Sequence, residues 1–175
     1  QALAATRARF MDGEGSDAWF FDVFQPPQIV DPDTGESVPF AEASVDTLAT
    51  HPSCWTLEPG DRWHGFADVD VDGKHALVDP MKVTIMCPGV DESGVAGKQG
   101  IPACVLTQFL DERRIFMARS GAYTALVRFS VGLDQGRWGA VLEALHEFKR
   151  FYDGGVTVGE ALPRLAAAQP RYANL

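Results

Sequence analysis

Asp68, Asp70 and Asp72, with Gly73 after them and Asp79 twelfth in the run, match the ligand spacing of an EF-hand loop, which offers calcium a set of oxygens around a sharp glycine bend. An EF-hand also needs a helix on each side, and Pro80 directly after Asp79 blocks the exiting one. The competing reading is a β-hairpin, because VDVDGKHALV alternates on both sides of Asp72-Gly73. His64, within Trp63-His64-Gly65-Phe66, is the best candidate for a functional histidine, and its plain alternative is a core imidazole bonded to backbone. His51, His75 and His146 lack the i, i+4 spacing of a zinc pair. Cys54, Cys87 and Cys104 are odd in number and show no CxxC, which argues against a disulfide framework and against zinc. Cys87 and Cys104 lie in apolar contexts and read as small buried hydrophobes. The sequence contains no nucleophile elbow, Walker loop or GxGxxG; GVAGKQG (94–100) is glycine-rich without the Walker spacing and reads as a loop feeding a helix.

The chain that must position these groups has 175 residues, a 46% hydrophobic fraction and a net charge of −9. That length and composition predict one folded globular domain with a core. The negative charge disfavours nucleic acid as a partner and suits a cationic amine or basic amino acid. No long apolar run predicts a membrane span, the N-terminus lacks the apolar core of a signal peptide, and the cysteine usage points to the cytoplasm.

Two halves are legible. Residues 1–78 hold most of the prolines and read as an irregular part with short helices and a hairpin, packed on the core. LAATRARF is helical and ends at Gly13 and Gly15; Asp31 to Ser37 is a turn; Ser44 caps a short helix over Val45 to Thr50. Residues 79–167 are regular. Lys82 to Cys87 is a strand closed by Pro88-Gly89, and Gly100-Ile101-Pro102 opens a helix. Ile115 to Ala118 and Tyr123 to Val131 are strands around a Ser120-Gly121 turn. Trp138, Val141, Leu142, Leu145, Phe148 and Tyr152 form the apolar stripe of a helix that Asp153-Gly154-Gly155 ends. Thr157-x-x-Glu160 is a capping box, and residues 168–175 are a tail. The order β-α-β-β-α predicts an α+β fold, a small antiparallel or mixed sheet with helices on one face.

DPMKVTIMCPGV, GIPACVLTQFLDERRIFMARSGAYTALVRFSVG and RWGAVLEALHEFKRFYD follow one another between Asp79 and Asp153, with WFFDVFQPPQI and RWHGF upstream. This ordered set resembles the bacterial ornithine/lysine/arginine decarboxylases, fold-type-I enzymes that use pyridoxal phosphate (PLP), and within them the small-domain segment. The resemblance implies a part of a carboxy-lyase that takes a basic amino acid to a polyamine or related diamine, in a homodimer or higher oligomer. It implies that Ala118, Arg119 and Ser120, with His64 and Trp63, lie beside the substrate. Lysine-type members carry Val-Val-Glu-Lys-Thr-Gly where Phe116 to Gly121 stands, and their glutamate resembles a contact for the substrate's distal cation. Ala118 occupies that place here, so lysine specificity is not implied. The family's cofactor lysine follows a histidine; none of Lys74, Lys82, Lys98 and Lys149 does. The expectation is therefore a piece without the Schiff-base lysine, with no catalytic, cofactor or metal residue of its own and with PLP held elsewhere in the parent enzyme. A stand-alone interaction domain that docks on a decarboxylase, and a calcium module at Asp68 to Asp79, remain the alternatives. The 175-residue chain mixed with PLP should develop no stoichiometric aldimine absorbance; a band made permanent by borohydride would locate a Schiff-base lysine here.

Overall fold

The computed structural model describes residues 21–26, 28–57, 76–89, 100–130 and 135–175. The helix expected over LAATRARF, the hairpin at Asp72-Gly73, and Trp63 and His64 lie outside them. The elements are β1 (Asp22–Val23), β2 (Gln28–Val30), β3 (Ser37–Pro39), α1 (Val45–Thr50), β4 (Thr56–Leu57), β5 (Ala76–Leu77) and β6 (Lys82–Met86). They continue with α2 (Ala103–Glu112), β7 (Arg119–Ser120), β8 (Thr124–Arg128), α3 (Gln135–Asp153), α4 (Val158–Ala161) and α5 (Pro163–Ala168). Four strands form one antiparallel sheet in the order β1-β6-β8-β7. This is the expected α+β architecture.

Strand alternation decides which face is buried. Ile85, Ala125 and Val127 are buried, and Ile85 pairs with Ala125 while Val83 pairs with Val127, so all point to one side. Against that side pack Ala103, Leu106, Phe109 and Leu110 of α2 and Ala144, Leu145 and Phe148 of α3. Burying a side chain such as Leu106 contributes roughly 1.5–3 kcal/mol. The apolar stripe of α3 ends on Phe151, which packs edge-on against Phe109 at 5.9 Å, whereas Tyr152 is exposed. The expected last member of the stripe is thus corrected by one position.

The boundary at residue 78 does not isolate the sheet. Phe21 is buried in the same core and β1 adds to β6, so the first half supplies an edge strand. A second small cluster of Ile29, Phe40, Ala43, Leu48 and Cys54 lies in that half. Trp55 packs on it, its indole donating to the Leu48 carbonyl at 2.7 Å. The Asp31 turn and the Ser44 cap form as expected: the Asp31 carboxylate accepts from Asp33 N, and the Ser44 hydroxyl from Thr47 N. The tail is tied down, with Leu175 O accepting from Val158 N at 2.7 Å and Ala173 O from Gly159 N at 3.0 Å.

Both long helices end in the same hydrogen-bond pattern, a backbone bond spanning six residues that encloses one spanning four, around a left-handed residue. In α3 that residue is Gly155, at φ +62°, with Val156 N bonded to Phe151 O and Gly155 N to Tyr152 O. In α2 it is Arg114, at φ +63°, with Ile115 N bonded to Leu110 O and Arg114 N to Asp111 O. A side chain in that conformation costs about 1 kcal/mol. Arg114→Gly should therefore raise stability by up to about 1 kcal/mol in urea unfolding, and Leu106→Ala should lower it by about 2–5 kcal/mol.

Candidate functional site

Of the residues expected beside a substrate, Trp63 and His64 lie outside the described residues, and Ala118, Arg119 and Ser120 fall on the strap from the end of α2 through β7 to the turn before β8. The left-handed step at Arg114 throws the chain off α2, so the strand ladder starts later than expected. The bridge is Arg119–Ser120 rather than 115–118, although Ala118 N already bonds Leu126 O at 2.8 Å. β8 is likewise shorter than the Tyr123–Val131 run. β7 is an edge strand, and Ala118, Arg119 and Ser120 are all exposed on it. Arg119 pairs with Leu126 and Ser120 with Ala125, so Arg119 points to the face away from the helices and Ser120 towards the helix side. The three residues are adjacent but do not converge on one point.

The turn is held from two directions. Ala122 O accepts from Ala103 N, the first residue of α2, and Tyr123 O accepts from Cys87 N at the end of β6, both at 2.8 Å. Gly121 N bonds Thr124 O at 2.8 Å, and a Cβ on Gly121 would lie 2.6 Å from the Thr124 hydroxyl oxygen. The other end is fixed by Arg113. Its guanidinium lies 3.4 Å from the centre of the Phe109 ring and donates from Nε to Glu147 of α3 at 2.5 Å. Half-burial makes this pair stronger than a surface pair. The Arg113 bond is the main reason that the Glu147 carboxyl titrates below its ordinary value.

The remaining candidates have structural partners. Asp79, the one described member of the Asp68 to Asp79 set, accepts from Met81 N at 2.9 Å and pairs with Lys82 Nζ at 2.9 Å. The Lys82 bond, with that of Met81, holds its carboxyl below the usual range. Among the described residues no cluster of three or more histidine, cysteine or acidic side chains is placed to hold a metal. Lys149 bonds Asp153 within α3. Cys87 is buried as expected, and desolvation pushes its thiol up to about 12. Cys104 is exposed, contrary to expectation, because it follows buried Ala103 onto the solvent side of α2. Thr157 caps α4, accepting from Glu160 N. Sequence reasoning missed the Arg113–Glu147 clamp and the exposure of Phe116, at 69%. The first joins residues too far apart in sequence for any spacing rule; the second follows from the break at Arg114. Among the described residues no helix is long and apolar enough to cross a membrane.

A small antiparallel sheet backed by two helices, with an exposed strap along one edge, defines an α+β module. The family model described as the major domain of Orn/Lys/Arg decarboxylases matches residues 2–137, and the chain belongs to that family. The model is described as that of the major domain, and the match runs through the whole sheet and stops at the start of α3. The chain is 42% identical over 159 residues to the constitutive lysine decarboxylase of Escherichia coli K12, covering 91% of this chain and 19% of that protein. It is 35% identical to the biodegradative arginine decarboxylase of the same organism, over 100% of this chain and 23% of the relative. The solved E. coli constitutive lysine decarboxylase overlays 99% of this chain and 21% of its own at a TM-score of 0.72 and 38% identity. Lysine decarboxylase A from Pseudomonas aeruginosa gives 0.75 and 33%, over 99% of this chain and 21% of its own. The chain thus spans about a fifth of the length of the relatives it matches.

The clamp carries a pH signature. A depressed carboxyl pKa contributes stability above the unfolded value and loses it as pH falls through the folded one. Glu147→Gln should cost about 1 kcal/mol near neutral pH, and the difference from the unsubstituted chain should fade below about pH 4.3. Paired urea titrations across pH check this; a gap that persists into acid would mean that the ion pair is not its source.

Proposed function

We propose that this chain is a part of a PLP-dependent decarboxylase of basic L-amino acids, one that shapes the substrate's surroundings and meets neighbouring parts of the enzyme. The observation that carries the reading is the whole-chain overlay on a lysine decarboxylase at 38% identity. The parent reaction releases carbon dioxide from ornithine, lysine or arginine, consumes a proton and leaves a diamine or related amine.

PLP, where bound, supplies the electron sink for that reaction. The described residues do not fit a PLP site. Lys82 is paired with Asp79 and Lys149 with Asp153, and neither follows a histidine. No catalytic step is therefore assigned to them. Their share is to position groups and exclude water, through the strap held at Arg113 and at Ala122. Arg119 and Ser120 stand beside the substrate in this reading, and Ala118 leaves the distal cation without the carboxylate that lysine-type members offer it. The substrate is thus a basic amino acid whose side-chain cation is met from elsewhere. Subunit contacts made by this part, in a dimer or larger assembly, and a cytoplasmic setting belong to the same proposal.

The test is made on the full-length protein that contains this chain. Carbon dioxide release is followed with lysine, arginine and ornithine in turn, beside the 175-residue chain alone. The expected result is release from at least one substrate by the full protein and none by the isolated chain. Arg119→Ala is expected to raise KM by about ten-fold with a smaller effect on kcat. A full-length protein that binds PLP and leaves all three amino acids intact would end the reading.

A further inference from the structure

Glu112 ends α2, and its carboxylate reaches the start of α5. Oε1 accepts from Leu165 N at 2.9 Å and Oε2 from Arg164 N at 3.2 Å. These are the first donors α5 has, because Pro163 carries no N–H, and Leu162 before it offers no capping side chain. Acidic side chains in the last turn of a helix are disfavoured by its dipole. Asp111 and Glu112 occupy that turn of α2, which holds no basic residue, and α5 answers both, since Arg164 returns an ion pair to Asp111 at 3.6 Å. Packing alone leaves the join incomplete: a cleft of about 140 Å³ remains among Phe109, Phe148, Val158, Ala161 and Leu162. Two residues beyond Glu112 stands Arg114, at φ +63°. A side chain in that conformation persists only where its surroundings over-determine it. Arg113 supplies support through Glu147, and Glu112 supplies it through the two α5 bonds.

We propose that Glu112 is a positioning residue: by gripping the start of α5 it holds the left-handed turn at Arg114 in place, and so sets the strap from Ile115 to Ser120. The segment from Val158 onward bears on the strap through this one carboxylate. The order of the strap stands by itself, whereas its consequence for a substrate rests on the decarboxylase reading.

The test follows amide hydrogen exchange by NMR in the 175-residue chain. Glu112→Ala is expected to speed exchange at Ile115 and Ala118, which bond Leu110 O and Leu126 O, by about ten-fold. The amides that pair β6 with β8 should keep their rates. Glu112→Gln retains one acceptor oxygen and should fall between; it is read instead if the alanine variant melts early. Arg164→Gln loses only the ion pair to Asp111 and should leave Ile115 and Ala118 as they were. In an Arg114→Gly background, where glycine holds the turn without support, adding Glu112→Ala should change the same amides by less than about two-fold. In the full-length protein Glu112→Ala should raise KM for the amino acid about three-fold or more at nearly unchanged kcat. Unchanged exchange at Ile115 and Ala118, equal acceleration throughout the sheet, or an undiminished effect in the Arg114→Gly background would each overturn the proposal. A loosened strap with an unmoved KM would overturn its bearing on the substrate. A full-length protein that leaves lysine, arginine and ornithine intact would end the decarboxylase reading, and the exchange rates alone would then decide the role of Glu112.

Discussion

Burial of one face of the sheet under α2 and α3 is the constraint on which the other features hang. Ile85, Leu106, Leu110 and Leu145 have no exposed surface and Phe109 only 1%. Side chains alternate along a strand, so fixing Ile85 and Val127 inward sends Thr84, Leu126 and Arg128 outward without further choice. A slip of one residue in β8 would put Arg128 under the helices and Val127 in water, exchanging an apolar contact for a buried charge. The register is therefore held by the core, and the chemistry of the outer face is inherited from it.

The strap at the edge depends on that core in turn. It begins where α2 ends, and α2 ends where Arg113 reaches across to Glu147. It finishes at a turn whose carbonyls receive the first N–H of α2 and the N–H of Cys87. One helix thus anchors both ends of the exposed segment, its C-terminus through a side chain and its N-terminus through backbone. A segment of this kind is rigid without being buried, which suits surfaces that must present groups to something else.

The sequence announced the elements whose signals are local. The Ser44 and Thr157 caps, the Asp31 turn and the Gly154-Gly155 stop each depend on a few neighbouring residues, and each forms as read. The β-α-β-β-α order was legible for the same reason, and the ordered motifs carried the family. Less legible were features decided by distant partners. β1 contains only two paired residues, too few for an alternation to register, and its place beside β6 is set by Phe21 in the core. The shift of β7 followed from a left-handed arginine, which nothing in LDERRIF signals because glycine is the usual mark of that conformation. Cys104 and Tyr152 fell on the solvent side because a helix face is settled by what packs on it, to within one residue. Ala118, Arg119 and Ser120 are neighbours in sequence, yet the pleat sends Arg119 and Ser120 to opposite faces.

The membership of β1 in the sheet means that the chain is laced through itself. An N-terminal strand closes one flank of a layer whose other members lie some sixty residues further along and beyond. Severing the link between the two parts would leave each holding the other by backbone pairing and by the Phe21 ring, as complementing halves rather than as separable units.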